Sequence, residues 1–376
     1  MHQDLVLFSE VQTTNGKKIG TALLNSEKSL NALNLTMIDL LLNQIKHWQN
    51  DDAIAVIVLL GAGDKAFCAG GDVVSIYHDI VAMRQGVVDE RLTDNTVKDS
   101  LGVEFFTKEY QLDLLIHESQ KPIFVWADGY VMGGGIGLMA GASHKVVTER
   151  TLMAMPEVTI GLYPDVGASW FLNQMPKGVG LFLGLTGMNF NGADAKELKL
   201  ADYQIQSTSK QLILYEFINL PWADNNKENQ QLLSELLNKY QTLYVEKSHS
   251  NILDHLAVIE KVTSASDIIT IYHDVINENI ESAWFNKAQQ KIKHGSPLSI
   301  NLIYHQLNKC AGLPLKVCFK HELNLSMRCC QHTEFFEGVR ALLIDKDNQP
   351  HWKYNQISKV DPKEVDWFFT LVNQQN

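Results

Sequence analysis

The sequence predicts an α/β fold followed by a C-terminal region that is mainly α-helical. Short, continuous apolar runs rich in β-branched residues are typical of buried parallel strands. The runs are AIAVIVLL at 53–60, IFVWA at 123–127 and KVVT at 145–148. Apolar residues at helical spacing occupy 35–48, before the first run, and 103–117, between the first two. Strands that alternate with helices favour parallel pairing.

The N-terminus is predicted to form a β-hairpin. Residues 4–12 and 18–24 carry apolar residues on either side of Thr14-Asn15-Gly16. Asn-Gly between two such runs is a strong hairpin signal.

The C-terminal part changes in character at about residue 205. Glycine becomes sparse, and helical periodicity dominates residues 212–259, 296–307 and 321–340. We therefore predict an α/β core over residues 1–205 and a helical region over residues 206–376.

Composition excludes several classes of protein. The 376 residues are 45% hydrophobic, which is enough for a large core and excludes global disorder. The formal net charge of −11 argues against a nucleic-acid partner. No apolar run approaches the roughly 18–20 residues of a membrane span. Residues 1–4 lack a basic, apolar leader pattern, so no signal peptide is expected.

The cysteine and histidine residues suggest neither disulfides nor a metal site. The five cysteines form no C-x-x-C pair, and the thirteen histidines lack H-E-x-x-H or H-x-H spacing. Unpaired cysteines fit a reducing cytoplasm.

Two glycine-rich stretches follow strands. AFCAGGD at 66–72 contains Gly70 and Gly71, whose amides can converge on an oxygen that gains negative charge. DGYVMGGGIGLMAG at 128–141 leads into a buried helix, where glycine N–H groups face a ligand. Ordinary turns or close helix packing remain alternatives. Residues 135–140 also match G-x-G-x-x-A, although the next strand follows too soon for an ordinary dinucleotide-binding unit.

A third stretch, MPEVTIGLYPDVG at 155–167, places two acids in apolar surroundings. Burial raises the pKa of a carboxyl group and suits Glu157 and Asp165 to base or nucleophile chemistry. The alternatives are a loop carboxylate at Glu157 and a helix-capping acid at Asp165. Glu109 lies beside aromatic residues on a predicted helix, where a solvated surface position is the competing interpretation.

Two catalytic patterns are missing from the sequence. Neither a G-x-S-x-G nucleophile elbow nor a G-x-x-x-x-G-K-[ST] loop is present. A serine α/β-hydrolase and a P-loop nucleotide enzyme are therefore not indicated.

The order of the three stretches resembles the crotonase (enoyl-CoA hydratase/isomerase) superfamily. NSEKSLNALN at 25–34 also resembles the acyl-CoA-binding segment of that family. The resemblance implies a ββα spiral core with a helical C-terminal region, so that residues 1–205 form the acyl-CoA-binding catalytic core and residues 206–376 complete the site and offer oligomer contacts. It also implies an oxyanion hole in which the amides of Gly71 and Gly134 bind the thioester oxygen.

Within the superfamily, the chain resembles the 3-hydroxyisobutyryl-CoA hydrolases, which act in valine degradation. The resemblance rests on residues 155–169 and on FFEGVRALLIDKD at 335–347. It implies that Glu157 and Asp165 are catalytic and that Glu109, Gly134, Glu157 and Asp165 bind the substrate. Hydratases carry a second glutamate at the position of Gly137, and glycine cannot transfer a proton.

The resemblance also implies the ligand. An acyl-CoA thioester is the substrate, and no separate cofactor or metal is expected. The residues expected near CoA are Lys28, Leu30, Ala32, Lys65, Ala69 and Asp72. A homo-oligomer is possible for such a chain. The alternatives are a hydratase or isomerase, a non-catalytic acyl-CoA-binding protein and a dinucleotide-dependent oxidoreductase.

Overall fold

The chain forms two compact units, and each is assembled from three stretches of sequence. The computed structural model describes residues 5–85, 91–242 and 249–372. The first unit comprises Met1–Gly71, Gln111–Met153 and Phe190–Ser250, and the second comprises Asp72–Tyr110, Ala154–Asn189 and Asn251–Asn376. Both units draw on sequence before and after residue 205, so the functional division at that residue stays a prediction.

Ten strands lie in the described residues. They are β1 (Val6–Gln12), β2 (Lys18–Leu24), β3 (Ile54–Gly61), β4 (Ala66–Cys68), β5 (Ile123–Ala127), β6 (Tyr130–Met132), β7 (His144–Val147), β8 (Leu152–Ala154), β9 (Phe190–Asn191) and β10 (Tyr203–Gln204).

The α-helices of the described residues are more numerous. They are α1 (Leu35–Asn50), α2 (Val73–Met83), α3 (Asp94–Val97), α4 (Leu101–His117), α5 (Gly134–Ala140), α6 (Ala168–Phe171), α7 (Val179–Thr186), α8 (Gly192–Glu197), α9 (Lys210–Asn219), α10 (Asn226–Thr242), α11 (Asn251–Val262), α12 (Ile268–Asn277), α13 (Ala283–His294), α14 (Pro297–Cys310), α15 (Leu315–Gln331), α16 (Thr333–Val339) and α17 (Pro362–Phe368).

A six-stranded sheet forms the centre of the first unit. Its strand order is β1-β2-β3-β5-β7-β10. Every neighbouring pair is parallel except β1 and β2. Strand β3 is buried along its whole length, as its β-branched sequence predicts. The predicted parallel α/β class and the helices at 35–48 and 103–117 are therefore confirmed.

The predicted hairpin is also confirmed. Strands β1 and β2 pair antiparallel, with Gln12 opposite Lys18. Gly16 has a φ of +90°, a conformation that favours glycine in the turn. Residue 4, the predicted start of the first strand, lies outside the described residues.

A smaller sheet of the first unit carries both glycine-rich stretches. Strands β4 and β6 are adjacent and parallel. A Cβ atom on Gly129 would lie 2.2 Å from the carbonyl oxygen of Lys65, so only glycine permits this approach. Because parallel strands end at the same edge, the loops after β4 and β6 begin side by side.

The second unit is mainly helical, and the helix predicted over 321–340 is interrupted. His332 has an extended backbone (φ −98°, ψ 154°) and separates α15 from α16. Its Nδ1 accepts the backbone N–H of Glu334 at 3.1 Å, which caps α16. A turn of π-helix follows over Arg340–Ile344. The remaining predictions over 212–259 and 296–307 are confirmed by α9, α10, α11 and α14, apart from 243–248, which lie outside the described residues.

The cysteines and the helix lengths bear on two of the sequence predictions. All five cysteines are buried, and none of them forms a disulfide. Within the described ranges, none of the helices combines the length and apolar character needed to cross a bilayer.

Candidate active site

The two glycine-rich loops of the first unit touch each other. Gly70 has a φ of +112° and Gly133 a φ of +47°, both in the region that favours glycine. A Cβ atom on Gly70 would lie 3.3 Å from the carbonyl oxygen of Met132 and 3.9 Å from the amide nitrogen of Gly134. Glycine at position 70 therefore lets the backbones of the two loops approach each other closely, and a shared ligand atom stays a prediction.

Gly134 begins the buried helix α5. The N–H groups of the first helical turn have no partner inside the helix, and the helix dipole adds a partial positive charge there. A Cβ atom on Gly135 would lie 2.2 Å from the carbonyl oxygen of Cys68, so this glycine presses α5 against β4. The packing interpretation of the triplet thus applies to Gly135, and binding of a ligand by the N–H of Gly134 stays a prediction.

The dinucleotide pattern does not form a phosphate-binding turn. Residues 135–140 lie inside α5, whereas the fingerprint glycines of a dinucleotide fold occupy the turn between strand and helix. The sequence evidence for an oxidoreductase therefore has no structural counterpart in this segment.

The predicted acyl-CoA segment is fastened to the first glycine loop by Asn31. The buried Asn31 amide donates to the carbonyl oxygens of Ala62 and Ala66 at 3.0 Å each. Its Oδ1 accepts the N–H of Ser26 at 3.0 Å. Asn31 has a φ of +57°, a conformation that asparagine tolerates better than most residues.

Most of the predicted CoA residues lie along this junction. Leu30, with a φ of +54°, accepts the N–H of Ala69 at 3.0 Å. Leu33 donates its N–H to the carbonyl oxygen of Gly70 at 2.8 Å and pairs in parallel with Gly71. Lys28, Leu30, Ala32, Lys65 and Ala69 all belong to the first unit, the two lysines are exposed, and their contact with CoA stays a prediction.

Asp72, the sixth predicted CoA residue, has a structural role in the second unit. Its carboxylate accepts the N–H and the hydroxyl of Ser75, at 3.2 and 2.7 Å, and caps α2. Such a cap is typically worth about 1 kcal/mol. A CoA contact by Asp72 stays a prediction.

Glu157 is buried at the start of a 3₁₀ turn in the second unit. The turn covers Glu157–Ile160, and the side chain of Glu157 is 5% exposed. Glu157 Oε2 has no hydrogen-bond partner among the described residues. Helix α16 supports the turn, since a Cβ atom on Gly338 would lie 2.3 Å from the carbonyl carbon of Ile160. The C-terminal segment 335–347 thus contributes a close backbone contact behind Glu157.

Asp165 is held by a hydroxyl group from α4. The Tyr110 hydroxyl donates to Asp165 Oδ2 at 2.5 Å. The next residue, Val166, has a φ of +54°, which is strained for a β-branched side chain. Strain of this kind is concentrated at functional sites, where the surrounding structure imposes it.

The acid that caps α6 is Glu322, so the capping interpretation of Asp165 is wrong. Glu322 Oε2 accepts the N–H of Gly167, and Oε1 accepts that of Ser169, each at 2.8 Å. Glu322 lies on α15 and is fully buried. Asp165 lies two residues before Gly167, and its side chain does not cap α6.

Burial controls the titration of the acids. Loss of water raises the pKa of Glu157 well above its usual range, and the charge of Asp165 raises it further. Burial raises the pKa of Asp165 to about 6, although the Tyr110 hydrogen bond opposes that rise. Burial likewise raises the pKa of Glu322 to about 8 against the opposing effect of its two amide donors. Glu157 and Asp165 form no ion pair with a described cationic side chain, so either acid can hold a proton near neutral pH.

Glu109 is only 2% exposed, so the surface interpretation of this residue is wrong. It lies on α4 directly before Tyr110. The structure therefore supplies the second unit with three buried acids that the sequence singled out, Glu109, Glu157 and Asp165.

Four functional positions were missed or left unassigned by sequence reasoning. Tyr110 and Tyr163 lie inside quoted motifs, but their hydroxyl partners come from distant sequence. Glu322 and Ser326 lie in a long helical stretch whose periodicity carries no sign of polar chemistry. The four residues meet through contacts more than fifty positions apart in sequence.

In the described part of the chain, one group of side chains places its possible metal-ligand atoms within 4.8 Å of one another. It consists of Glu10, His47 and Asp51, at the surface of the first unit. Glu10 already pairs with Lys18 and with the Trp48 indole at 2.8 and 2.9 Å. We assign no metal there, and the expected absence of a metal stays a prediction.

Comparison with known proteins establishes the family. A family model described as enoyl-CoA hydratase/isomerase matches residues 19–369. The chain belongs to the enoyl-CoA hydratase/isomerase family. The resemblance of the three motifs to this family is therefore confirmed.

Several full-length relatives of this chain share the name 3-hydroxyisobutyryl-CoA hydrolase. The mitochondrial 3-hydroxyisobutyryl-CoA hydrolase of Danio rerio is 33% identical and covers 98% of this chain and 91% of its own length. The enzyme of the same name from Gallus gallus is 35% identical, with 97% and 89% covered. That of Homo sapiens is 34% identical, with 93% and 86% covered.

Solved structures of the family confirm the fold class. A carnitinyl-CoA dehydratase from Mycobacterium thermoresistibile superposes with a TM-score of 0.84 at 28% identity, covering 99% of this chain and 98% of its own. An enoyl-CoA hydratase from Rhodobacter sphaeroides gives a TM-score of 0.81 at 24% identity, covering 98% of both chains. The second likeness concerns the fold alone.

Proposed function

We propose that this protein hydrolyses a short acyl-CoA thioester, with 3-hydroxyisobutyryl-CoA as the substrate. The observation that carries the proposal is the pair of buried acids Glu157 and Asp165 in a family member that has glycine at 137. Helix α5, which contains Gly137, cannot supply the second glutamate of a hydratase. The names of the full-length relatives support the same activity.

The amides of Gly71 and Gly134 would bind the thioester oxygen. Attack on the carbonyl carbon places negative charge on this oxygen, and preorganised N–H donors stabilise the charge. The position of Gly134 in the first turn of α5 adds the helix dipole to that stabilisation. Loss of one such donor typically costs a factor of about 10²–10³ in rate.

Glu157 would supply the attacking group in one of two ways. As a nucleophile, its carboxylate oxygen bonds to the carbonyl carbon, the C–S bond breaks and CoA thiolate leaves. Water then cleaves the mixed anhydride and regenerates the carboxylate. As a general base, Glu157 takes a proton from water while the water oxygen bonds to the carbonyl carbon; the C–S bond then breaks, and CoA leaves as the thiol once it has taken up a proton. The raised pKa makes the ionised form of Glu157 a stronger base in either role.

Asp165 and Glu109 would act on the acyl group. Asp165 binds the substrate hydroxyl or assists proton transfer, and Glu109 positions the acyl end. Both carboxyl groups belong to buried elements of the second unit.

Release of free thiol is the decisive assay. We expect thiol release from 3-hydroxyisobutyryl-CoA and none from crotonyl-CoA, because a hydratase adds water without freeing CoA. Hydration of crotonyl-CoA without thiol release would support the alternative hydratase or isomerase. Glu157→Gln should lower kcat by about 10²–10⁴, whereas Glu281→Gln, at an exposed position, should not. Near-normal turnover by Glu157→Gln would remove the assignment.

Labelled water separates the two roles of Glu157. In a single turnover in H₂¹⁸O, the anhydride route leaves ¹⁸O in the Glu157 carboxylate whenever water attacks that carbonyl. Mass spectrometry of the peptide that contains Glu157 reads the label. Label confined to the released acid is expected both for the general-base route and for an anhydride that water attacks at the acyl carbonyl, so label in the Glu157 peptide is the result that decides for the nucleophile.

Cellular location, CoA contacts and assembly remain further parts of the proposal. A cytoplasmic location stays our prediction, and the curated relatives are named mitochondrial. We also propose that the protein contacts CoA, needs no separate cofactor and forms a homo-oligomer. The residues proposed to contact CoA are Lys28, Leu30, Ala32, Lys65, Ala69 and Asp72.

A further inference from the structure

A chain of three buried hydroxyl groups ends on the carboxylate of Asp165. Tyr110 Oη lies 2.5 Å from Asp165 Oδ2 and 2.7 Å from Ser326 Oγ. Ser326 Oγ lies 2.8 Å from the Tyr163 hydroxyl, which in turn lies 2.6 Å from the carbonyl oxygen of Glu322. Four O···O contacts therefore join five groups, all within the second unit.

The number of hydrogens in this chain depends on the protonation of Asp165. Each hydroxyl group has one hydrogen to donate, and the Glu322 carbonyl has none. With Asp165 ionised, three hydrogens are available for four contacts, so one contact stays unbonded. With a proton on Asp165 Oδ2, four hydrogens fill four contacts, each group donating to the next from Asp165 towards Glu322.

Both phenols keep their hydrogens across the neutral range. Tyr110 is 4% exposed and Tyr163 is fully buried. Burial raises the pKa of each phenol well above its usual value, and the charge of Asp165 adds to both shifts. The hydrogen count therefore changes only through Asp165.

We propose that Tyr110, Ser326 and Tyr163 are positioning residues that hold Asp165 Oδ2 in both of its protonation states. The Asp165–Tyr110 and Tyr110–Ser326 hydrogen bonds reverse direction, while Tyr163 donates to the Glu322 carbonyl oxygen in both states. Tyr110 donates to the ionised carboxylate and accepts from the protonated acid. The carboxyl group therefore keeps its place when it gains or loses a proton. This behaviour suits an acid that exchanges a proton during the reaction, a point that rests on the proposed function.

Other titratable groups surround this chain and act on the same equilibrium. Those that interact electrostatically with Asp165 or its tyrosines are Glu157, Glu322 and Cys329. Glu157 and Glu322 disfavour a negative charge on Asp165 when they are ionised, whereas the Cys329 thiol stays neutral because burial raises its pKa well above its usual value. Their effect is common to all the variants below, which alter only hydroxyl groups.

Two variants should move the pKa of Asp165 in opposite directions. Tyr110→Phe removes the donor to the ionised carboxylate, so the pKa should rise by about one to two pH units. Ser326→Ala leaves that donor but deprives Tyr110 of its acceptor when Asp165 is protonated, so the pKa should fall by about half to one unit. If Tyr110 and Ser326 had only a structural role, the two variants would not shift the pKa of Asp165 in opposite directions. Tyr304→Phe removes a hydroxyl bonded to Ser266 elsewhere in the unit and should leave the pKa unchanged.

The pKa can be read without substrate. Carboxyl ¹³C resonances of aspartate-labelled protein give it directly, with Asp165 assigned by its loss in Asp165→Asn. The acid limb of kcat/KM against pH should show the same two shifts. Shifts of equal sign, or none in Tyr110→Phe, would overturn the inference. If the two variants shift the pKa of Asp165 in opposite directions but the protein releases no thiol, the inference holds and the proposed function is rejected. If Tyr110→Phe fails to fold, a fall in pKa for Ser326→Ala supports the inference and a rise refutes it.

Discussion

Glu322 accepts the backbone N–H of Gly167 at 2.8 Å, and this bond fixes the chain two residues after Asp165. The second carboxylate oxygen of Glu322 accepts the N–H of Ser169. One buried side chain from α15 thus satisfies two amides at the start of α6. The strained Val166 lies between Asp165 and this cap. The position of Asp165 therefore depends on a residue 157 places later in the chain.

We expect Glu322→Ala to lower both stability and kcat. Alanine has no acceptor oxygen, so the N–H groups of Gly167 and Ser169 lose their buried partner at a cost of about 1–3 kcal/mol each. Urea unfolding at pH 5 measures the loss, because the folded-state pKa of Glu322 is about 8 and little is gained there by removing a buried charge. Thiol release measures kcat, and Glu281→Ala is the matched surface control. An unchanged unfolding midpoint in Glu322→Ala would contradict the capping role.

Asp165→Asn should stabilise the protein at neutral pH while it removes activity. The pKa of Asp165 is raised from 3.8 to about 6 in the folded protein. The folded state therefore loses stability as the pH rises from about 4 to about 6, by up to about 3 kcal/mol. Asparagine avoids this loss because its amide remains neutral. Thermal unfolding at pH 4 and pH 8 should show a gain for the variant only at pH 8.

Asp267 provides a control of opposite sign for that experiment. Hydrogen bonds from Thr270 lower the pKa of this exposed cap of α12. Its contribution is present at neutral pH and is lost as the pH falls through the folded pKa. Asp267→Asn should therefore give no gain at pH 8. If Asp267→Asn were stabilised at pH 8 as much as Asp165→Asn, burial of Asp165 would not be the cause of the stability gain.

Gly161→Ala should destabilise the second unit far more than Gly312→Ala. Both glycines have positive φ, +69° and +74°, so both variants incur a similar backbone cost of about 1 kcal/mol. A Cβ atom at 161 would lie 2.3 Å from the carbonyl oxygen of Glu334, whereas nothing lies within 4 Å at 312. Overpacking adds about 1–3 kcal/mol. Equal unfolding midpoints for the two variants would refute the close contact.

Asn31→Asp should raise KM for the acyl-CoA substrate. The change removes two donors and turns a carboxylate towards the carbonyl oxygens of Ala62 and Ala66. The segment with the predicted CoA residues would then separate from the Gly70 loop. Asn348→Asp, at an exposed asparagine of similar φ (+54°), is the control. A variant that loses kcat with KM unchanged would argue against a role for this segment in CoA binding.

The sequence alone was sufficient for the local structure and for the ordered motifs. Apolar runs predicted β3, β5 and β7, and Asn15-Gly16 predicted the hairpin, because periodicity and turn chemistry are local properties. The glycine stretches and the acids Glu157 and Asp165 were recognisable because each lies in a compact motif. The helical periodicity over 321–340 did not reveal the break between α15 and α16, because His332 caps α16 from an extended conformation that apolar spacing does not mark.

Tertiary structure alone decided which polar groups meet. The sequence left Asp165 as either a helix cap or a reactive acid, and Glu109 as either a surface or a site residue. Folding brought Glu322 to the cap and Tyr110 to Asp165, and it buried Glu109 in α4. These outcomes depend on contacts across 55 to 216 sequence positions, as at Tyr110 with Asp165 and with Ser326. Desolvation and hydrogen bonding act through space, so only the folded chain determines which acids can hold a proton.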